Sequence, residues 1–414
     1  MNQQLTEAVK NNLNWFLNSE IMRPNDGFWS VAERIAVDIS DETMAEINTN
    51  FPCQTQLDER TIVLQQRRAD CAVETAMMFD LADEYFKDDK YRKIAQNIVD
   101  FLVNRSAMYI FDKKAKSASL WEWAMPKTAN CWTDDNSWVV IGLLFLSSRG
   151  YGDNLKEMAV STADAMHKHA IDYFDFIEKN GLVEYPEGSD TMHGLRLNPH
   201  WLGLLTMALS LADEAQGTNK YHEVIRKYYE KVLDGPPEYD ERSCCQTESG
   251  VDWSISEYAY LALVGTITAK VYSDEYIAGV ANHAGNILLA KQKADGHFAS
   301  NHFETPEGEQ YADLVYTQNW ATLALQHLAL YFPDNKDYRN SFEKSAKFLL
   351  RIQDNSDSLF FKGCWRGMYD CDAGKWGGGN KYEGGEGSIY SGWTNAPISI
   401  SFLFELSSKS FLEI

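Results

Sequence analysis

The chain has 414 residues, 44% of them hydrophobic and 13% aromatic with only 10 prolines, so it can bury a large core and is not disordered. Acidic residues outnumber basic ones 60 to 38, for a net charge of −22 without a concentrated tail. This argues against nucleic acid or an anionic membrane as partner and suits a neutral ligand held by carboxylates. Seven cysteines, an odd number without a CxxC pair, and a polar N-terminus where a signal peptide would be apolar predict a soluble cytoplasmic protein with reduced thiols, exported only if a leader has been removed.

Helical periodicity alternates along the whole length between charged segments with one apolar stripe and segments that are apolar nearly all round. The first amphipathic segment is Leu5–Ser19, followed by the turn Asp26-Gly27-Phe28-Trp29 and a long loop to Gln66. An apolar segment begins near Ala69, and Tyr91–Asn104 is amphipathic again. The loop Met108–Thr133 carries Trp121, Trp123 and Trp132 into the apolar segment that begins near Asp134. Asn154–Glu178, Lys220–Leu233, Asp274–Lys291 and Lys336–Gln353 are the remaining outer-type helices. Between and after them, apolar helices begin near Pro199, Trp253, Thr317 and Gly392. The apolar starts recur about every 55 to 75 residues, the length of a helical hairpin with its loops. Six hairpins of this kind predict an all-α, (α/α)6 toroid made of one domain over residues 1–414, its first outer helix beside its last inner one.

In such a ring the inner helices all start at one end, where their free N–H groups and positive dipole ends converge. The residues at those starts are polar groups beside aromatic ones: Arg67 and Asp70; Asp134, Asp135, Asn136 and Trp138; Asn198, His200 and Trp201; Trp253 and Glu257; Tyr316, Gln318, Asn319 and Trp320; Trp393, Thr394 and Asn395. Sugars need this combination, because their C–H faces stack on indole rings while their hydroxyls seek amides and carboxylates. The expected ligand is therefore an oligo- or polysaccharide, with Asp70, Trp138, His200, Trp201, Gln318, Asn319, Trp320, Trp393, Asn395 and Glu386 as binding residues. Asp134, Asp135, Trp138, Trp320, Trp393 and Asn395 are expected around one cavity.

The sharpest local signal is Cys131-Trp132-Thr133-Asp134-Asp135-Asn136-Ser137-Trp138. Two carboxylates on one first turn stand about 5 to 6 Å apart at Cβ, close to the spacing of a retaining glycosidase pair, and their repulsion leaves one acid and one nucleophile. This segment resembles the paired-aspartate motif of the endo-α-1,6-mannanases of glycoside hydrolase family 76, within the six-hairpin glycosidase superfamily. The resemblance implies an (α/α)6 fold and retaining hydrolysis of α-mannan, with Asp134 as nucleophile and Asp135 as acid/base. It also resembles the helix start of unsaturated glucuronyl and rhamnogalacturonyl hydrolases, which implies one Asp as general acid/base and Asp70 as the second carboxylate. Those enzymes need a cation for the uronate, for which Arg67, Arg68, Arg196 and Arg366 are candidates.

The glycine-rich run Lys375–Ser388 lacks the order of a phosphate loop and reads as a flap, mobile or tightly folded, with Glu383 and Glu386 as second-choice acids. Nine histidines show no zinc spacing, so neither metal nor cofactor is expected. Sugar epimerases share the fold but use a pair of cavity histidines, and a non-catalytic glycan-binding protein would keep the aromatics alone. Gln292–Phe298 resembles the Gln-Trp repeats of terpene cyclases, whose cavities carry few amides.

Overall fold

The computed structural model describes all residues except 39, 52, 127–129, 153, 189–191, 238–242, 248–249, 382 and 413–414. In chain order the helices are α1 (Asn2–Asn18), α2 (Asp41–Asn50), α3 (Ala69–Phe86), α4 (Asp89–Asp100), α5 (Thr133–Ser148), α6 (Asn154–Asn180), α7 (Leu204–Gln216), α8 (His222–Val232), α9 (Ile255–Tyr272), α10 (Glu275–Lys291), α11 (Gln318–Tyr331), α12 (Lys336–Ile352) and α13 (Ala396–Ser407). Short π-helical turns extend α4 at its C-terminus and lead into α7 and α13.

The two sequence patterns separate into two layers. On α4 the buried residues are Tyr91, Ile94, Ala95, Ile98 and Val99, a single stripe at helical spacing. On α5 every residue from Thr133 to Leu146 is buried, so that helix is covered on all sides. The inner helices α3, α5, α7, α9, α11 and α13 contact one another in that order, and α13 returns to α3. Each of α4, α6, α8, α10 and α12 packs behind the inner helix that precedes it, and α1 packs against α13. The expected (α/α)6 toroid, closed by its first outer and last inner helix, is the observed fold. Among the described residues, no helix is long and apolar enough to cross a membrane.

Short strands decorate the end of the ring where inner helices begin. Arg67–Arg68 pairs with Ala124–Met125 just before α3, and Cys131–Trp132 pairs in parallel with Met192–His193 just before α5. A four-stranded antiparallel sheet places Arg34–Val37 between Ser388–Tyr390 and Thr61–Leu64, joining the first long loop to the last. The glycine-rich run is tightly folded: Lys381 and Gly387 N–H groups bond to Gly384 O and Asn380 Oδ1 at 2.8 and 2.7 Å. Tyr382 within it lies outside the described residues. At the opposite end the tail turns back into the barrel, where Phe411 stacks on His327 at 5.5 Å and meets Trp138 at 5.9 Å.

Inner helices approach so closely that side-chain volume limits them. A Cβ on Gly142 of α5 would stand 2.6 Å from Val73 Cβ on α3, and neither carbon can swing away. Gly279 on α10 is exposed, with nothing within 4 Å of the same position. Gly142→Ala should therefore lower stability by about 1 kcal/mol or more, overpacking exceeding the helix-propensity gain, whereas Gly279→Ala should raise it by about 0.5–1 kcal/mol. Urea unfolding followed by far-ultraviolet circular dichroism checks both. A Gly142→Ala midpoint at or above wild type would refute the packing argument.

Candidate functional site

Two inner helices begin alike. Arg68 and Trp132 hold extended backbone as the residues preceding α3 and α5, and each helix then presents carboxylates in its first turn. Asp70, Asp134 and Asp135 are all buried there, facing the positive ends of their helices.

Arg68 joins them. Its Nε and Nη2 donate to Asp70 at 3.1 and 2.8 Å, and Nη2 also donates to Asp135 Oδ1 at 3.1 Å. Its Nη1 stands 3.5 Å from Glu33, and its guanidinium lies over the rings of Trp123 and Trp393 at 5.1 and 5.2 Å. The carboxylates hold the Arg68 charge well above its ordinary pKa range despite burial. Glu33, fully buried, is pushed up to about 7 by desolvation, with Arg34 and Arg68 opposing.

Asp134 and Asp135 are neighbours in sequence with different partners. Asp135 is raised well above the carboxylate range by burial and by repulsion from Asp70, more than Arg68 restores. Burial works against ionisation of Asp134 as well, but His200 and then Arg68 overcome it and lower its pKa. Asp134 Oδ2 is 3.4 Å from His200 Nε2, an ion-pair distance too poorly aligned for a hydrogen bond, and its Oδ1 has no hydrogen-bond partner among the described residues.

His200 lies in the π turn before α7, its N–H held by Glu257 Oε2 at 2.7 Å. Its ring stacks on Tyr260 at 4.6 Å and meets Trp393 edge-on at 5.2 Å. His302 stacks on Tyr316 at 3.9 Å, 6.4 Å from the His200 ring, and burial followed by the His200 charge lowers its pKa well below the usual value. Trp393 has φ 41°, a costly conformation for a large side chain. Three bonds hold it there: its N–H to Glu74 Oε2 at 2.7 Å, its indole N–H to Asp70, and its carbonyl to the Asn319 amide.

Of the residues expected to bind ligand, the structure gathers Asp70, Asp134, Asp135, His200 and Trp393 into this cluster. Trp138 and Trp320 stack at 5.2 Å one layer deeper, as the floor. Trp201 stands toward the rim, 6.2 Å from Trp132 and beneath the Arg196 guanidinium at 5.2 Å. Gln318 is committed to the scaffold: it accepts from Phe298 N–H at 2.9 Å and donates to Ser345 Oγ at 2.7 Å. Asn395 likewise accepts from Asn12 and from Trp365 N–H, and donates to Tyr390 O at 2.7 Å. Asn319 is tied to Val315 O and Trp393 O. Glu386 lies over the Met368–Trp376 hairpin, close enough that a Cβ on Gly377 would meet its Oε2 at 3.3 Å. Glu383 is the flap acid that faces the cluster, accepting from Tyr390 Oη at 2.6 Å beside Arg34.

Glu33, Glu74, Tyr260 and His302 complete the cluster without having been singled out from sequence. Glu74 was the most legible of them, one turn after Asp70 on the same face of α3. Glu33 in an irregular loop left no signal. Tyr260 Oη, Glu74 Oε1, Asp134 Oδ1 and both Glu33 oxygens are buried without a hydrogen-bond partner among the described residues. Such convergence asks for a polar ligand or water. A cavity of about 440 Å³ shares Glu383 with this cluster and is otherwise lined by residues of the 40–46, 303–304 and 380–381 segments.

No family model matches the chain, and no curated protein does. Solved structures do. A D-mannose isomerase is 11% identical over 98% of this chain and 97% of its own, with a TM-score of 0.63. An unsaturated glucuronyl hydrolase from a Bacillus species is 13% identical over 98% and 97%, with a TM-score of 0.60. A cellobiose 2-epimerase from Bacillus thermoamylovorans is 12% identical over 82% and 88%, with a TM-score of 0.55. At such identities the likeness is one of fold, the (α/α)6 toroid.

Proposed function

We propose that the chain is a glycoside hydrolase acting on a neutral oligo- or polysaccharide through Asp134 and Asp135. The supporting observation is that these adjacent carboxylates face opposite partners, Asp134 toward His200 and Asp135 toward Arg68 and Asp70. Their protonation states are thereby driven apart, as acid and base work at one centre requires. Protonated Asp135 gives its proton to the leaving oxygen as the C1–O bond breaks, while ionised Asp134 bonds to C1. Water then attacks C1, returns a proton to Asp135 and releases Asp134, with net retention. The resemblance of the motif to family 76 points to an α-mannan-type substrate.

The uronide alternative needs a cation free for a carboxylate, and the candidate arginines are engaged. Arg67 donates to Trp29 O and Gln65, Arg68 is shared among carboxylates, Arg196 pairs with Glu184 and Arg366 with Asp354. A second reading, sugar isomerisation or epimerisation, draws on the buried His200 and His302 rings at 6.4 Å. Incubation with mannose, glucose and cellobiose separates the two readings, because a new epimer or ketose without any hydrolysis rejects the first.

On a hydrolysed substrate, Asp134→Asn and Asp135→Asn should each lower kcat by about 10²–10⁴-fold while the fold persists. Proton nuclear magnetic resonance of the first-formed sugar should show the anomer of the substrate. Wild-type rates in both variants, or an inverted product, would reject the assignment.

The pH profile should be broad. Activity needs Asp134 ionised, and its lowered pKa sets the acid limb below the ordinary carboxylate range; it needs Asp135 protonated, and its raised pKa moves the loss on the alkaline side well above that range. Since His200 helps depress Asp134, His200→Gln should move the acid limb of kcat/KM upward. An unmoved limb would show that His200 does not control Asp134.

A further inference from the structure

Outside the candidate active site, we propose a divalent transition-metal site, best suited to Zn²⁺, formed by Asp295, His297 and Cys371. A carboxylate oxygen of Asp295, a ring nitrogen of His297 and the Cys371 Sγ all lie within 4.8 Å of one another. Two come from the turn after α10, and the third from the turn between Met368–Asp370 and Lys375–Trp376.

The surrounding hydrogen bonds orient the donors inward. His297 Nε2–H donates to Glu309 O at 3.0 Å, which leaves Nδ1 pointing at Asp295 Oδ1, 2.6 Å away. A backbone carbonyl bonded to the far ring nitrogen is the arrangement that orients metal-binding histidines. Arg351 donates to the other Asp295 oxygen at 2.8 Å, fixing the carboxylate while leaving Oδ1 directed at the ring. Nδ1 and Oδ1 stand at hydrogen-bond distance and share a proton, which an incoming metal ion displaces as the two donors part.

Thiolate with imidazole and carboxylate is a borderline-soft set that selects zinc over magnesium or calcium. Donors of a tetrahedral zinc site stand about 3.2 to 3.7 Å apart, so binding opens the Asp295 to His297 gap and draws the sulfur closer. The ion forms bonds to sulfur, nitrogen and oxygen, the thiol proton and the proton between Nδ1 and Oδ1 leave to solvent, and water fills the remaining position. Bound there, the metal pins the Met368–Asp370 and Lys375–Trp376 hairpin to the turn after α10. The site is one of stability at the rim, with no part in sugar chemistry.

The experiment is titration of chelator-treated full-length protein with Co²⁺ and then Zn²⁺. One equivalent of Co²⁺ should produce a sulfur-to-cobalt charge-transfer band in the near ultraviolet, which Zn²⁺ should bleach. The band should be lost in Cys371→Ser and weakened in His297→Gln, and Zn²⁺ should raise the melting midpoint of wild type but of neither variant. Absence of the band from wild type overturns the proposal without any variant. A band that survives Cys371→Ser places the cobalt on another cysteine and overturns it equally.

Discussion

The acids at the mouth of the barrel are tied together by one largely buried cation. Arg68 meets Asp70, Asp135 and Glu33, and without it three carboxyl groups would face each other across a water-poor space. Ionised carboxylates pay several kcal/mol each to leave water, and a single guanidinium offsets only part of that. The remainder is expressed as protonation: Asp135 and Glu33 are pushed up, while Asp134, which has His200 as well, is pushed down. Acid and base characters thus arise from how Arg68, Arg34 and His200 are divided among neighbouring acids.

The same cluster also closes the ring. Asp70 and Glu74 lie on α3, yet they hold the side chain and backbone of Trp393, the strained residue before α13. Gly392 is required beside them, because a Cβ there would press on Cys71 Cα at 2.7 Å. First and last inner helices are therefore joined through residues that also face the cavity. Site geometry and ring closure are one problem, so a change at Glu74 disturbs Trp393 and, through it, the face against which His200 packs.

The helical layers were legible because layer and hydrophobic pattern are physically the same thing: α5 is apolar all round since it is covered all round, and α4 is striped since one side meets water. The start of α5 was legible for a related reason, as two acids beside tryptophans suit a helix N-terminus lining a polar cavity. Amides were less informative. Gln318 and Asn395 bear the groups a sugar would use, but they bond to Ser345 and Tyr390 O, and no local pattern distinguishes a ligand from a backbone carbonyl. Contacts between distant segments, such as Trp393 with Asp70 and Cys371 with His297, have no local periodicity at all.

The floor beneath the carboxylates bears on what the proposed hydrolase can hold. Trp138 lies about one turn below Asp134 on α5, about 6 Å along the axis, and it stacks on Trp320 with Phe411 behind it. A substrate that reaches the acids therefore meets this packed layer directly beneath them. On the proposed reading, one residue of the substrate enters beside His200 and Trp393, and the rest of the chain lies outward along the rim. Trp123, Trp132 and Trp201 stand there, only partly buried or just beneath the surface. Aromatic faces at the rim and hydrogen-bonding groups at depth divide the work as sugar chemistry demands: stacking tolerates variation along a polymer, whereas buried acids demand one orientation of the ring being cleaved.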